Sequence, residues 1–178
     1  MKKILIGGVG SVLLGDDGVG PYAAHLIDAN FEFSEGVVVE DLGTPGLDLV
    51  AHLTGVRALI IVDSVDNRKE PGSVTLYRKQ DILKVRPAIR MDPHSPALTE
   101  TLFVAELAGD APDDVLLIGV TGKTYGDTPG LSDEVEAAVE SAIAEVLREI
   151  ERLGESYSRK AQPSDAGIWW TAYSENAV

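Results

Sequence analysis

The sequence predicts an α/β domain in three layers, a twisted and mostly parallel sheet flanked by helices. Three observations point there. Four short apolar runs, Lys3–Val9, Val37–Asp41, Ala58–Asp63 and Val115–Val120, lack the alternation of half-exposed strands and read as strands buried on both faces. Segments with apolar residues at three- and four-residue spacing lie between them, and alternating strand and helix is the order that builds a parallel sheet covered by helices. The 178 residues suffice for one substantial core and are too few for two.

Taken in order, Met1-Lys2-Lys3 leads straight into Ile4-Leu5-Ile6 and a glycine-rich end, the pattern of a first strand rather than of a signal peptide with a small-residue cleavage site. Val19–Ala29 has helical spacing. Val37–Asp41 is β-branched and predicts the second strand, Leu47–Leu53 a second helix, and Ala-Leu-Ile-Ile-Val-Asp at 58–63 the third strand. The turn pair Pro71-Gly72 announces a further strand, Ser73–Arg78, at or near an edge. Pro96–Leu107 predicts a helix, with Ser95 as its cap and Pro96 at the first helical position. After the strand Val115–Val120, the residues Val135, Ala138, Val139, Ala142, Ile143, Val146, Leu147, Ile150 and Leu153 mark a long amphipathic helix capped by Ser132, with Asp133 and Glu134 in its first turn. The domain is expected over 1–154. The periodicity stops after Gly154, and 155–178, with Trp169, Trp170 and Tyr173, is expected to be a mobile tail or an aromatic latch.

With 15 Lys+Arg against 29 Asp+Glu the net charge is −14, a field that repels the phosphates of nucleic acid and anionic membrane surfaces, so neither is expected as a partner. No run approaches the ~20 apolar residues of a membrane helix, and the expected compartment is the cytoplasm. The absence of cysteine excludes a thiol protease, an iron–sulfur protein and a thiolate zinc site.

Ligands of an open parallel sheet bind outside the carboxyl ends of its strands, which directs attention to the residues that close each strand. Asp16 and Asp17 lie in the loop after the first strand, Asp41 closes the second, Asp63 closes the third, and His94 stands before the Pro96 helix. Singly, each has an ordinary explanation: Asp16 as a helix cap, Asp17 as first-turn charge, Asp41 and Asp63 as turn formers, His94 as a loop residue. Together they are harder to explain, because carboxylates gathered on one sheet edge repel one another unless a cation or a shared proton offsets the charge. Two carboxylates and an imidazole form a three-ligand set that leaves open positions on zinc, nickel, iron or manganese. His25 and His52 fall within helical segments and read as structural. Gly8-Val9-Gly10 begins like a dinucleotide fingerprint, but Leu13 stands at the third glycine and Asp16 and Asp17 oppose a phosphate, so no nucleotide is expected. Ser11 and Ser64 lie outside Gly-x-Ser-x-Gly, which leaves a serine hydrolase without its nucleophile turn.

Four segments carry a resemblance in the right order. Gly7-Gly8-Val9-Gly10-Ser11-Val12-Leu13-Leu14-Gly15-Asp16-Asp17-Gly18-Val19-Gly20-Pro21 resembles the opening signature of the hydrogenase maturation endopeptidases, Asp41-Leu42-Gly43-Thr44-Pro45-Gly46 resembles that family's Asp-Gly-Gly-Thr-x-Gly segment, and Leu59-Ile60-Ile61-Val62-Asp63-Ser64 its third-strand motif. Pro93-His94-Ser95 falls where the family has its loop histidine. Ser11 stands where the family usually has asparagine, and Asp17 where some members carry glutamate.

The resemblance spans about Lys2 to Leu153 and implies the family's phosphorylase/hydrolase-like sheet between helices. It also implies the family's activity, an endopeptidase that removes the C-terminal extension of a nickel–iron hydrogenase large-subunit precursor after nickel insertion. The precursor is then the partner, its nickel the recognition element, and Asp17, Asp63 and His94 the metal-contacting and catalytic set, supported by Asp16, Asp41, Gly43 and Thr44. A monomer is expected. The alternative is a non-proteolytic nickel-binding checkpoint or chaperone on the same scaffold.

Overall fold

The computed structural model describes residues 3–84 and 98–168. Four parallel strands, β1 (Lys3–Val9), β3 (Val37–Gly43), β4 (Val56–Val65) and β6 (Asp114–Thr121), form a sheet with β5 (Val74–Arg78), which runs antiparallel beside β6. The order β3-β1-β4-β6-β5 puts β5 at an edge, where the sequence places it. The helices are α1 (Val19–Asn30), α2 (Leu49–His52), α3 (Lys79–Lys84), α4 (Leu98–Ala108) and α5 (Asp133–Arg152), and 3-10 turns occupy Gly15–Gly18 and Gly46–Asp48. This is the mixed, mostly parallel sheet flanked by helices that the alternation predicts.

Side-chain parity builds the layers, since successive residues of a strand point to opposite faces. Ile4, Ile6, Ala58, Ile60, Val62, Leu116, Ile118 and Val120 pack against Val19, Ala23 and Ile27 of α1 and the apolar stripe of α5. Leu5, Val9, Leu59, Ile61, Val65, Val115 and Leu117 form a second core with Leu49 and Leu53 around α2, Ile82 of α3, and Leu98, Leu102 and Ala105 of α4. At the far end of α5, the buried Glu149 accepts from Arg78 Nη1 at 2.6 Å and from Arg152 Nε at 3.0 Å, tying that helix to the β5 edge.

The structure corrects three expectations. Ser132 occupies the cap position of α5 but its side chain makes no cap hydrogen bond; the hydroxyl donates to Asp16 Oδ2 at 3.0 Å instead. The expected second helix is shorter, a 3-10 turn followed by the single α-turn of α2. Residues 155–168 are also not a free tail. The strand β7 (Tyr157–Arg159) pairs antiparallel with β2 (Phe31–Phe33), and Lys160 N and Ser164 N donate to Asn30 O and Ala29 O at 2.8 and 3.0 Å. Three-residue strands carry too few alternations to be seen by periodicity. Ser95, Pro96, Trp169, Trp170 and Tyr173 lie outside the described residues.

Candidate active site

The order of the sheet fixes where a ligand would sit. α1 leads from β1 to β3 on one face, α2 leads from β3 to β4 on the other, and β3 and β4 flank β1 on opposite sides. Connections that part in this way open a crevice at the carboxyl ends of β1 and β4. Asp17 follows β1 and Asp63 lies near the end of β4, one on each border of that crevice.

The loop after β1 is folded tightly enough to require its glycines. Gly10 has φ +131, and a Cβ there would stand 1.8 Å from the carbonyl oxygen of Asp17. That fold brings Ser11 N to Asp17 Oδ2 at 2.6 Å, a main-chain donor that orients the carboxylate whatever side chain Ser11 carries. The Ser11 hydroxyl accepts from Leu13 N at 3.4 Å.

Asp63 is 4% exposed. Burial pushes its carboxyl well above the usual carboxylate range, the negative charge of Asp17 adds to the rise, and the Ser64 amide, donating to Oδ1 at 2.8 Å, opposes it. Burial and a second carboxylate together oppose ionisation of Asp63, and such strongly perturbed groups concentrate at functional sites.

Asp41 does not join this pair. It shares the parity of Val37 and Val39, which pack on the α1 side, whereas Asp63 shares that of Ile61 and Val65, which pack on the opposite side. Its Oδ2 meets His25 Nε2 of α1 at 3.2 Å, and its Oδ1 accepts from Gly43 N at 2.9 Å. Gly43 has φ +56, the left-handed backbone that ends the strand, and its carbonyl accepts from Gly10 N at 2.8 Å; Thr44 follows, exposed. This segment therefore braces the β1 loop from the neighbouring strand.

Asp16 faces away from the crevice and is fully buried. Its Oδ2 accepts from Lys123 N and Thr124 N, both at 2.7 Å, and its Oδ1 from Ser132 N at 2.7 Å. Burial alone would raise its pKa, but the amides of Ser132, Thr124 and Lys123 and the Ser132 hydroxyl together hold it below the ordinary value. Asp16 thus anchors the turn that carries Asp17 to the β6–α5 loop. A cavity of about 580 Å³ opens beside this anchor, lined among others by Gly15, Tyr22, Thr124, Leu131 and Glu136. Neither Asp17 nor Asp63 is among its lining residues.

His94 lies outside the described residues, so of the expected ligand set the structure brings together Asp17 and Asp63. Among the described residues no group of three His, Asp or Glu side chains converges as a metal cluster. Sequence reasoning missed Tyr125, whose hydroxyl lies 2.8 Å from Oγ of Ser64, the residue after Asp63 in β4. It sits in the aperiodic loop after β6, Gly122-Lys-Thr-Tyr-Gly-Asp-Thr-Pro-Gly130, where no spacing marks it.

The fold and these residues define a doubly wound α/β protein with a carboxylate pair in the crevice at its switch point. Residues 21–149 match the hydrogenase maturation protease family (HycI). The hydrogenase expression/formation protein HoxM of Azotobacter vinelandii is 33% identical over 153 residues, 85% of this chain and 74% of that protein. The hydrogenase 2 maturation protease of Escherichia coli is 29% identical over 164 residues, 89% of this chain and 98% of its own. The solved structure of the hydrogenase maturating endopeptidase HybD from E. coli superposes with a TM-score of 0.81 at 26% identity, covering 89% of this chain and 98% of that one. The chain belongs to the hydrogenase maturation protease family and is a peptidase.

Proposed function

We propose that this peptidase removes the C-terminal extension of a nickel–iron hydrogenase large-subunit precursor once nickel has been inserted, and that the precursor's nickel is what it recognises. The observation that carries the reading is the buried Asp63 beside Asp17 at the switch-point crevice, with Asp63 driven towards its neutral form by burial and by its neighbour. A divalent cation presented to the pair offsets the charge of both carboxylates and so relieves the burial and repulsion that oppose ionisation of Asp63, which favours engagement of nickel carried by the precursor. His94 completes the ligand set, a role that rests on the Pro93-His94-Ser95 motif. Nickel belongs to the substrate, and its engagement holds the nearby peptide in register for cleavage.

The test is to incubate the purified protein with nickel-loaded and nickel-free large-subunit precursor and to determine the C-terminal mass of each product. Loss of a C-terminal peptide from the loaded form alone supports the reading; binding of a cognate precursor without cleavage moves it to a nickel-binding checkpoint. Asp63→Asn is expected to abolish processing with the fold intact. Retained processing would remove Asp63 from the ligand set.

A further inference from the structure

Ser64, which follows Asp63 near the end of β4 and by strand parity leaves the opposite face, is half of a hydroxyl pair that metal engagement does not use. Ser64 is 6% exposed; its amide is committed to Asp63 Oδ1, and its Oγ lies 2.8 Å from Tyr125 Oη. Gly122 makes the room for the phenol, since a Cβ there would stand 2.3 Å from Tyr125 Oη and 2.9 Å from Ser64 Oγ. Asp16 fixes the same loop by holding the amides of Lys123 and Thr124. Despite these constraints Tyr125 is 52% exposed, while its hydroxyl meets Ser64 Oγ.

A substrate peptide brings carbonyl oxygens, which need donors. The carboxylates of the crevice are acceptors when ionised, and the amides of Ser11 and Ser64 already serve Asp17 and Asp63. Burial holds the Tyr125 hydroxyl protonated to higher pH than usual; the Ser64 contact opposes this, while the charges of Asp66, Asp16 and Asp17 reinforce it. The phenol is therefore a neutral donor in an acidic neighbourhood. Either oxygen of the pair can be the donor, and with Ser64 Oγ–H donating to Tyr125 Oη the phenolic O–H is released for a ligand.

We infer that Tyr125 is a carbonyl-binding residue of the peptidase site, its O–H donating to a backbone carbonyl of the substrate segment that is cleaved while Ser64 holds its oxygen from behind. The inference rests on the peptidase reading above. No covalent bond forms or breaks in this contact; it orients the carbonyl and strengthens as negative charge develops on that oxygen.

The experiment measures steady-state processing of the nickel-loaded precursor by wild type, Tyr125→Phe and Gly122→Ala, with thermal melting and Ni(II) binding on each variant. Tyr125→Phe is expected to lower kcat about 100-fold, as loss of one such donor does, with KM, melting and Ni(II) affinity unchanged. Gly122→Ala keeps the phenol but displaces it from Ser64, and kcat falls here too. Wild-type kcat in Tyr125→Phe, a loss confined to KM, or a loss that follows melting or Ni(II) affinity would overturn the assignment while leaving the peptidase reading standing. A wild-type protein that leaves the loaded precursor uncut overturns both.

Discussion

Two buried aspartates, Asp16 and Asp63, show how environment divides one residue type into two roles. Asp16 is surrounded by amides and its pKa is lowered; Asp63 is buried beside a like charge and its pKa is raised. The consequences for stability have opposite signs. Asp63's contribution is fully present below its unfolded pKa and is lost as pH rises through its raised folded value. Asp63→Asn keeps an acceptor for the Ser64 amide and cannot ionise, so it is expected to melt above wild type, with a gap that widens as pH rises. For a chain of this size each kcal/mol gained appears as about 2–4 °C in Tm. A gap that stays flat between acid and neutral pH would show that Asp63 carries no such strain. Asp17 and Asp63 were among the acidic residues at or after strand ends that the sequence singles out, and the family resemblance is what separated them from Asp16 and Asp41. The face to which Asp41 points was not legible, because a strand's alternation separates two faces without saying which one a neighbouring helix will cover. Ser64 and Tyr125 are 61 positions apart, and only the closing of the β6–α5 loop brings them together.

At the scale of elements, close backbone approach and one charged anchor set the position of Asp17. A Cβ at Gly20 would lie 2.2 Å from Val9 O and 2.4 Å from Val62 O, so α1 begins directly on the carboxyl ends of β1 and β4. The turn between β1 and α1 has little freedom left, and Asp16 removes the rest by tying it to the loop before α5. Asp16→Asn retains the volume but replaces an ionised acceptor by an amide that brings its own N–H groups towards the donors of Ser132, Thr124 and Lys123. The expected cost is about 2–3 kcal/mol at neutral pH. Because the folded pKa is depressed, Asp16 stabilises above its unfolded pKa and the contribution is lost as pH falls through the folded value. The difference between wild type and Asp16→Asn in a pH series of thermal melts should therefore shrink in acid; an undiminished difference would mean that the anchor does not act through its charge. The helix α5 was readable from its 3.6-residue period, and Ser132 from its place before it. That Ser132 serves Asp16 rather than its own helix depends on a contact 116 positions away, beyond any local pattern.

Over the whole molecule, the segment after α5 closes the α1 side of the domain. Glu155 accepts from Arg57 Nη2 at 2.8 Å and from Ser34 Oγ at 2.6 Å; Tyr157 packs edge-on against Phe31 with ring centroids 5.9 Å apart; and Ala166 O meets His25 Nδ1 at 2.7 Å. Because His25 also meets Asp41, the aspartate expected to support the metal set acts here as the end of a clip that runs from β3 through α1 to residue 166. The clip lies on the α1 side, while Asp63, for which a catalytic role is proposed, points to the other. A chain ending at Gly154 loses the β2–β7 pairing, an aromatic contact and the salt bridge of Arg57, together worth about 2–4 kcal/mol. At about 2–4 °C per kcal/mol its Tm should fall by roughly 4–16 °C. Well below that lower Tm, the truncated protein should still bind Ni(II) with the affinity of the full chain, since Asp17 and Asp63 keep every partner described for them. An unchanged Tm would mean that residues 155–168 contribute nothing in solution, and lost Ni(II) binding in a folded truncation would couple the clip to the carboxylate pair through β3 and the β1 loop that Gly43 braces.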